Sequence, residues 1–156
     1  VSLSACSEKD PRATFEKVGN GTPEILECSL SGTWSRCDTD GFSSQLITLS
    51  LGGSTINESI DAFNSNASCQ GTPDDQYLLQ GSLQMGEYGA SESIEGATDV
   101  DIAFDEDIGC GVGSTVYTAL KFVDSCSEFY PSNSQPGCES SSRGSAIDEN
   151  SPFIKQ

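Results

Sequence analysis

From Glu24 onward, apolar and polar residues alternate with a period of two. The stretches Ile25–Arg36, Gln45–Leu51, Thr55–Phe63, Gln76–Met85, Ala97–Phe104 and Thr115–Val123 are rich in β-branched and aromatic residues, and Gly, Asn, Asp, Ser or Pro separates them. In one of them Val100, Ile102 and Phe104 alternate with Asp99, Asp101 and Ala103, the pattern of a strand with one dry and one wet face. No stretch carries a sustained apolar stripe at 3.6-residue spacing, so little helix is expected. Gly52-Gly53 between two apolar runs reads as a hairpin, with glycine accepting the positive φ of a tight turn. Short strands at regular spacing predict an all-β fold, either a small antiparallel β-barrel or a sandwich.

The 156 residues are enough for one core. Residues 1–23 read as a signal remnant and a tether that is polar from residue 7, residues 24–127 as the β-barrel domain, and residues 128–156 as an irregular tail rich in Ser and Pro. Cys126 and Cys138 would staple that tail, with Phe153 and Ile154 docking its end.

Seven cysteines without a C-x-x-C pair point to an oxidising compartment rather than to a ribbon-type zinc site or a thioredoxin-like centre. The odd one is Cys6. Leu3-Ser4-Ala5-Cys6 resembles the bacterial lipobox, in which an aliphatic and two small residues precede the cysteine that takes the lipid. The resemblance implies a lipoprotein with a signal remnant ahead of Cys6. Ser7, standing where aspartate is the usual inner-membrane retention signal, implies an outer-membrane or cell-surface location. Membrane contact would then run only through the N-terminal lipid. The alternative is a secreted chain in which Cys6 is an ordinary or intermolecular disulfide partner. Cys28, Cys37, Cys69, Cys110, Cys126 and Cys138 remain, an even set for three disulfides.

Leu30-Ser31-Gly32-Thr33-Trp34 resembles the Gly-x-Trp opening of a lipocalin-type (calycin) barrel. The resemblance covers Leu30 to Phe104 and implies that the motif begins the first strand, with Trp34 closing one end of the barrel. Cys37 and Cys69 fall where bacterial lipocalin-like lipoproteins often carry cysteines, which implies the pair Cys37–Cys69 and leaves Cys110–Cys126 and Cys28–Cys138 as the remainder. The departures are a missing Thr-Asp-Tyr motif and no arginine placed to cover the tryptophan from the last strand, since Arg143 sits in Ser-rich sequence. A buried strand tryptophan beside a disulfide would also suit a sandwich. With 7 Phe, 4 Tyr and 1 Trp, side chains suffice to fill a small barrel, so a filled interior is expected.

Charge narrows the functions. Acids number 24 against 7 bases, a net charge of −17, and histidine is absent. That excludes His-dependent triads and His-ligated metals, and it disfavours nucleic acid as a partner. No apolar run reaches the roughly 18 residues of a membrane span. Residues 37–120 hold 14 acids and no Lys or Arg. These carboxylates are either a solvated surface suited to a salty medium or ligands for hard cations, calcium being the one cofactor the sequence offers. The candidate clusters are Asp38 with Asp40, ahead of Gly41, and Asp99 and Asp101 with Asp105, Glu106 and Asp107. Asn20, Asn57 and Asn66 match the glycosylation acceptor pattern.

No nucleophile elbow, phosphate loop or Ser–Lys motif is legible, and no catalytic residue is named. The reading is a non-enzymatic, secreted or surface-anchored acidic lipoprotein acting as a binding or adhesion module. The alternatives are a structural subunit of an extracellular filament or envelope assembly, with homo- or hetero-oligomeric contacts, and a carboxylate-dependent glycoside hydrolase.

Overall fold

The alternation runs through eight strands that close on themselves. In the computed structural model the described residues are 14–15, 24–25, 28–123, 126–133 and 137–156. Two short strands, β1 (Thr14–Phe15) and β2 (Glu24–Ile25), pair with each other outside the barrel. The barrel is built from β3 (Gly32–Thr39), β4 (Ser44–Leu51), β5 (Thr55–Phe63), β6 (Asp75–Met85), β7 (Thr98–Phe104), β8 (Thr115–Phe122), β9 (Glu128–Pro131) and β10 (Phe153–Lys155). Every strand pairs antiparallel with its neighbours in sequence, and β10 closes the ring between β9 and β3. This up-and-down barrel is compatible with a lipocalin-like fold. The expectation of an all-β, disulfide-stapled barrel with little helix is borne out, a single 3₁₀ turn at Ser140–Ser142 being the helical content of the described residues.

Burial follows parity. On β7, Thr98, Val100, Ile102 and Phe104 are buried while Asp99, Asp101 and Ala103 are half-exposed. The core gathers Trp34, Ile47, Leu51, Ile56, Leu83, Val100, Ile102, Phe104, Val116, Leu120, Phe122, Phe129 and Phe153. Each such side chain contributes about 1.5–3 kcal/mol relative to exposure. Where β6 meets β7, Gly81 pairs with Phe104, and a Cβ on Gly81 would lie 2.4 Å from the Ala103 carbonyl oxygen and 2.9 Å from Phe104 Cα. Only glycine allows that approach.

Trp34 plugs one end. It is fully buried, its Nε1–H donates to the Leu30 carbonyl at 2.8 Å, and its ring meets Phe129 edge-on at 4.9 Å and Phe122 at 6.0 Å. Phe129 in turn stacks on Phe153 at 4.9 Å.

Three sequence expectations need correcting. The stretch from residue 128 read as an irregular tail supplies β9 and β10, so the barrel continues to Lys155. Four-residue and three-residue strands are too short for periodicity to reveal. The Gly52-Gly53 hairpin forms, but neither glycine has positive φ. Gly52 is instead crowded, since a Cβ there would lie 2.6 Å from Thr55 Oγ1, and its N–H donates to the Thr55 carbonyl at 3.0 Å.

The third correction concerns the cysteines. Cys37–Cys69 pair as expected, with Cα atoms 5.9 Å apart. The other bridges are Cys28–Cys126 at 5.3 Å and Cys110–Cys138 at 5.4 Å, not Cys110–Cys126 and Cys28–Cys138. Strand parity is the reason. Cys110 precedes β8 and Cys126 follows it, so the eight residues of that strand hold them about 26 Å apart. A disulfide tolerates no more than about 7 Å between Cα atoms. Cys28 and Cys126 share the Trp34 end, whereas Cys110 and Cys138 share the other.

Trp34→Ala should cost about 3–5 kcal/mol, through the lost aromatic contacts and the cavity left behind. Trp34→Phe keeps a ring but strands the Leu30 carbonyl, and should cost about 1–3 kcal/mol. Urea unfolding followed by circular dichroism measures both.

Candidate functional site

Cross-strand partners share a face of a sheet, so the ladder register shows which residues look into the barrel. Trp34, Leu49, Glu58 and Leu79 form one lateral row across β3–β6, and Arg36, Ile47, Ile60 and Tyr77 form the next. Trp34 and Ile47 are core residues, so Glu58 and Arg36 also face inward. Glu58 shares the row of Trp34, and Arg36 stands one row further along β3. Arg36 lies over the Phe153 ring, 4.7 Å from its centroid, and its Nη2 meets Asp38 Oδ2 at 2.9 Å.

Glu58 has a different environment. Among the described residues nothing donates a hydrogen bond to it. Burial pushes its carboxyl above the usual glutamate range, and the Arg36 charge opposes that only in part. Around it Leu49, Ile60 and Leu79 are half-buried, and Tyr77 at the rim is 56% exposed. The opposite wall differs, with Val100, Ile102, Phe104, Val116 and Leu120 all buried. The interior expected to be filled is therefore packed at the Trp34 end and along β7–β10. On the β3–β6 wall a partly open apolar surface carries three inward charged groups, Arg36, Asp38 and Glu58.

Sequence reasoning singled out neither Arg36 nor Glu58 as a site residue. The signal was there: in Ile56-x-Glu58-x-Ile60 the glutamate has the parity of the apolar residues, and Arg36 has the parity of Trp34.

Among the described residues the carboxylates named as calcium candidates do not gather at one site. Asp38 is paired with Arg36. Asp40 closes the β3–β4 turn, accepting from Ser43 N at 2.7 Å, Phe42 N at 2.8 Å and Ser43 Oγ at 3.0 Å. Those donors, the Ser43 amide foremost, hold its carboxyl below the usual aspartate range. Asp107 accepts from Gly109 N and Gly111 N, both at 2.8 Å, with the same effect, organising the glycine-rich loop that carries Cys110. Asp105 borders a shallow groove of about 430 Å³ with Thr55, Asn57, Gln80 and Ser82. Among the described residues no three His, Cys, Asp or Glu side chains converge as a metal site would require.

Asp99 and Asp101 are brought together, on the outer face of β7, and what lies between them is Arg143. Its Nε is 3.3 Å from Asp99 Oδ2 and its Nη2 contacts Asp101 Oδ1. Nη1 donates to the Thr118 carbonyl at 3.0 Å and the Val100 carbonyl at 3.1 Å, and the guanidinium lies 5.0 Å from the Tyr117 ring centroid. Five donors in a planar fork suit this site, which straddles the β7–β8 ladder. The cation over Trp34 is Lys155 of β10, with Nζ 5.2 Å from the ring. Cys6, the proposed lipid site, lies outside the described residues.

Arg143→Met should destabilise the fold by about 2–3 kcal/mol, less than for a fully buried pair because both carboxylates keep some solvent contact. Adding Asp99→Asn and Asp101→Asn should recover part of the loss, read from urea midpoints. For Glu58 the sign is the reverse. A raised folded-state pKa means that ionisation opposes folding above the ordinary glutamate value and has no effect below it. Glu58→Gln should raise the melting temperature at pH 7, and the gain should vanish below about pH 4. Thermal melts across that range check it.

Comparison with protein-family models, with curated proteins and with solved structures finds no match for this chain, so fold and side-chain geometry carry the functional reading.

Proposed function

We propose that this chain is a non-enzymatic binding module whose barrel mouth takes a small amphiphile. The apolar body would lie on Leu49, Ile60 and Leu79, and a cationic or donor-bearing head would meet Glu58. The observation that carries the reading is Glu58 itself, an inward carboxylate that no described residue donates a hydrogen bond to, on a wall that is apolar and partly open. A partly desolvated charge opposes folding, and such costs are retained where a ligand makes use of them. Arg36, already committed to Asp38, holds the local charge at one net negative, which favours a cationic head over an anionic one.

Three disulfides point to an oxidising, extracellular setting. Among the described residues no helix is long and apolar enough to cross a membrane. Attachment to the outer membrane or cell surface through a lipid on Cys6 belongs to the same proposal, supported by the Leu3-Ser4-Ala5-Cys6 resemblance.

Titration calorimetry with decylammonium and with decanoate, both below their micelle concentrations, tests the binding reading. Decylammonium should bind with one-to-one stoichiometry and at least tenfold more tightly than decanoate. Glu58→Gln should weaken it at least tenfold. Equal affinity for the two ions, or an unchanged Glu58→Gln variant, overturns the assignment.

A further inference from the structure

The barrel is closed, yet one of its strands is paired on one side for only half its length. β6 pairs with β5 from Asp75 to Ser82, but with β7 only from Gly81 to Met85. Among the described residues no strand lies on the other side of Asp75–Leu79. Gln80 marks the fork: its carbonyl accepts the Asp105 N–H at 2.8 Å, and from there the β7–β8 loop leaves the sheet. Backbone direction alternates along a strand, so the polar groups of Gln76 and Leu78 face the same open side as Gln80.

This edge lacks the usual protection. Edge strands are normally blunted by lysine, proline, a bulge or a covering segment. Residues 75–80 contain no Lys and no Pro, and Asp75, Gln76, Tyr77 and Leu78 are four consecutive exposed residues. Leu78 is 62% exposed on the outer face. The adjoining loop adds Ile108 and Val112, also exposed, on a loop pinned by Cys110–Cys138 and by the two hydrogen bonds to Asp107. The same two segments carry Asp74, Asp75, Asp105, Glu106 and Asp107 without a single base.

We infer that the free edge of β6 is a docking site for an extended polypeptide segment of alternating basic and apolar residues, which adds as a strand beside Gln76 and Leu78. Main-chain hydrogen bonds to those two residues supply the register, and the apolar side chains meet Leu78, Ile108 and Val112. The charge of the edge selects the occupant. Five carboxylates with no base in either segment attract lysine and arginine and repel a second copy of this −17 chain. The site is on the backbone edge rather than on the inner wall, so it stands whether or not the mouth binds an amphiphile.

The test uses a capped octapeptide of alternating Lys and Val, its counterpart N-methylated at every residue, and amide exchange followed residue by residue by NMR. The unmethylated peptide should bind and slow exchange at Gln76 and Leu78 at least tenfold. The methylated peptide keeps charge and apolar surface but donates no hydrogen bond, so it should do neither. Leu78→Lys, exposed and therefore compatible with the fold, should weaken the peptide at least tenfold while leaving decylammonium binding unchanged. Equal binding of the two peptides, or binding without protection at Gln76 and Leu78, would reduce the effect to general attraction between opposite charges and overturn the proposal. So would protection of those amides without peptide in a chain that light scattering shows to be a dimer, because the occupant would then be a second copy.

Discussion

Closure by the last three strand residues is the constraint on which the rest of this barrel depends. A seven-stranded sheet ending at β9 would leave β3 with a bare edge and expose the aromatic floor. β10 prevents this with very little chain. Ile154 and Lys155 pair with Ser35 and Trp34, Phe153 and Ile154 pair with Phe129 and Glu128, and the Gln156 N–H donates to the Thr33 carbonyl at 2.9 Å. Phe153 contributes the packing, stacked on Phe129 with Arg36 above it. The ladder and the aromatic floor form at the same place, so sheet closure and core completion are one event rather than two.

The scarce bases follow the same logic. Among the described residues Arg36, Arg143 and Lys155 each lie over an aromatic ring, Phe153, Tyr117 and Trp34 respectively. Two of these cations also meet carboxylates. In a chain with so large an acidic excess, these three positive charges are placed where a neutral side chain could not replace them. They fasten the closing strand, the closed end and the outer face of β7 and β8. The remaining carboxylates are left to solvent, to turns and to whatever approaches the barrel.

Much of the architecture was legible because most strands are long enough for a two-residue period to show. Thr55–Phe63 is read from the sequence with both ends correct, and Gln76–Met85 and Ala97–Phe104 miss by one residue. What escaped has physical causes. β9 and β10 are too short to display a period, and their strand character comes from the neighbours they pair with. Two disulfides were mispaired because spacing alone does not say at which end of the barrel a loop emerges, although counting strands between cysteines does. Arg143 looked idle in its Ser-rich surroundings because its partners are 42 and 44 residues away along the chain. The inward charges at Arg36 and Glu58 were visible as parity violations, and an acidic residue among so many drew no notice.

The Cys28–Cys126 bridge has a mechanical consequence. It links the residue just ahead of β3 to the loop between β8 and β9, a span of 98 positions. Tension applied to the chain ahead of Cys28 would enter the molecule there and pass through sulfur to Cys126. The six strands between them lie in a covalent loop that bears none of the load. Pulling the two ends of the chain apart would therefore strain the last two strands and their closure, while β3 to β8 stayed inside the loop.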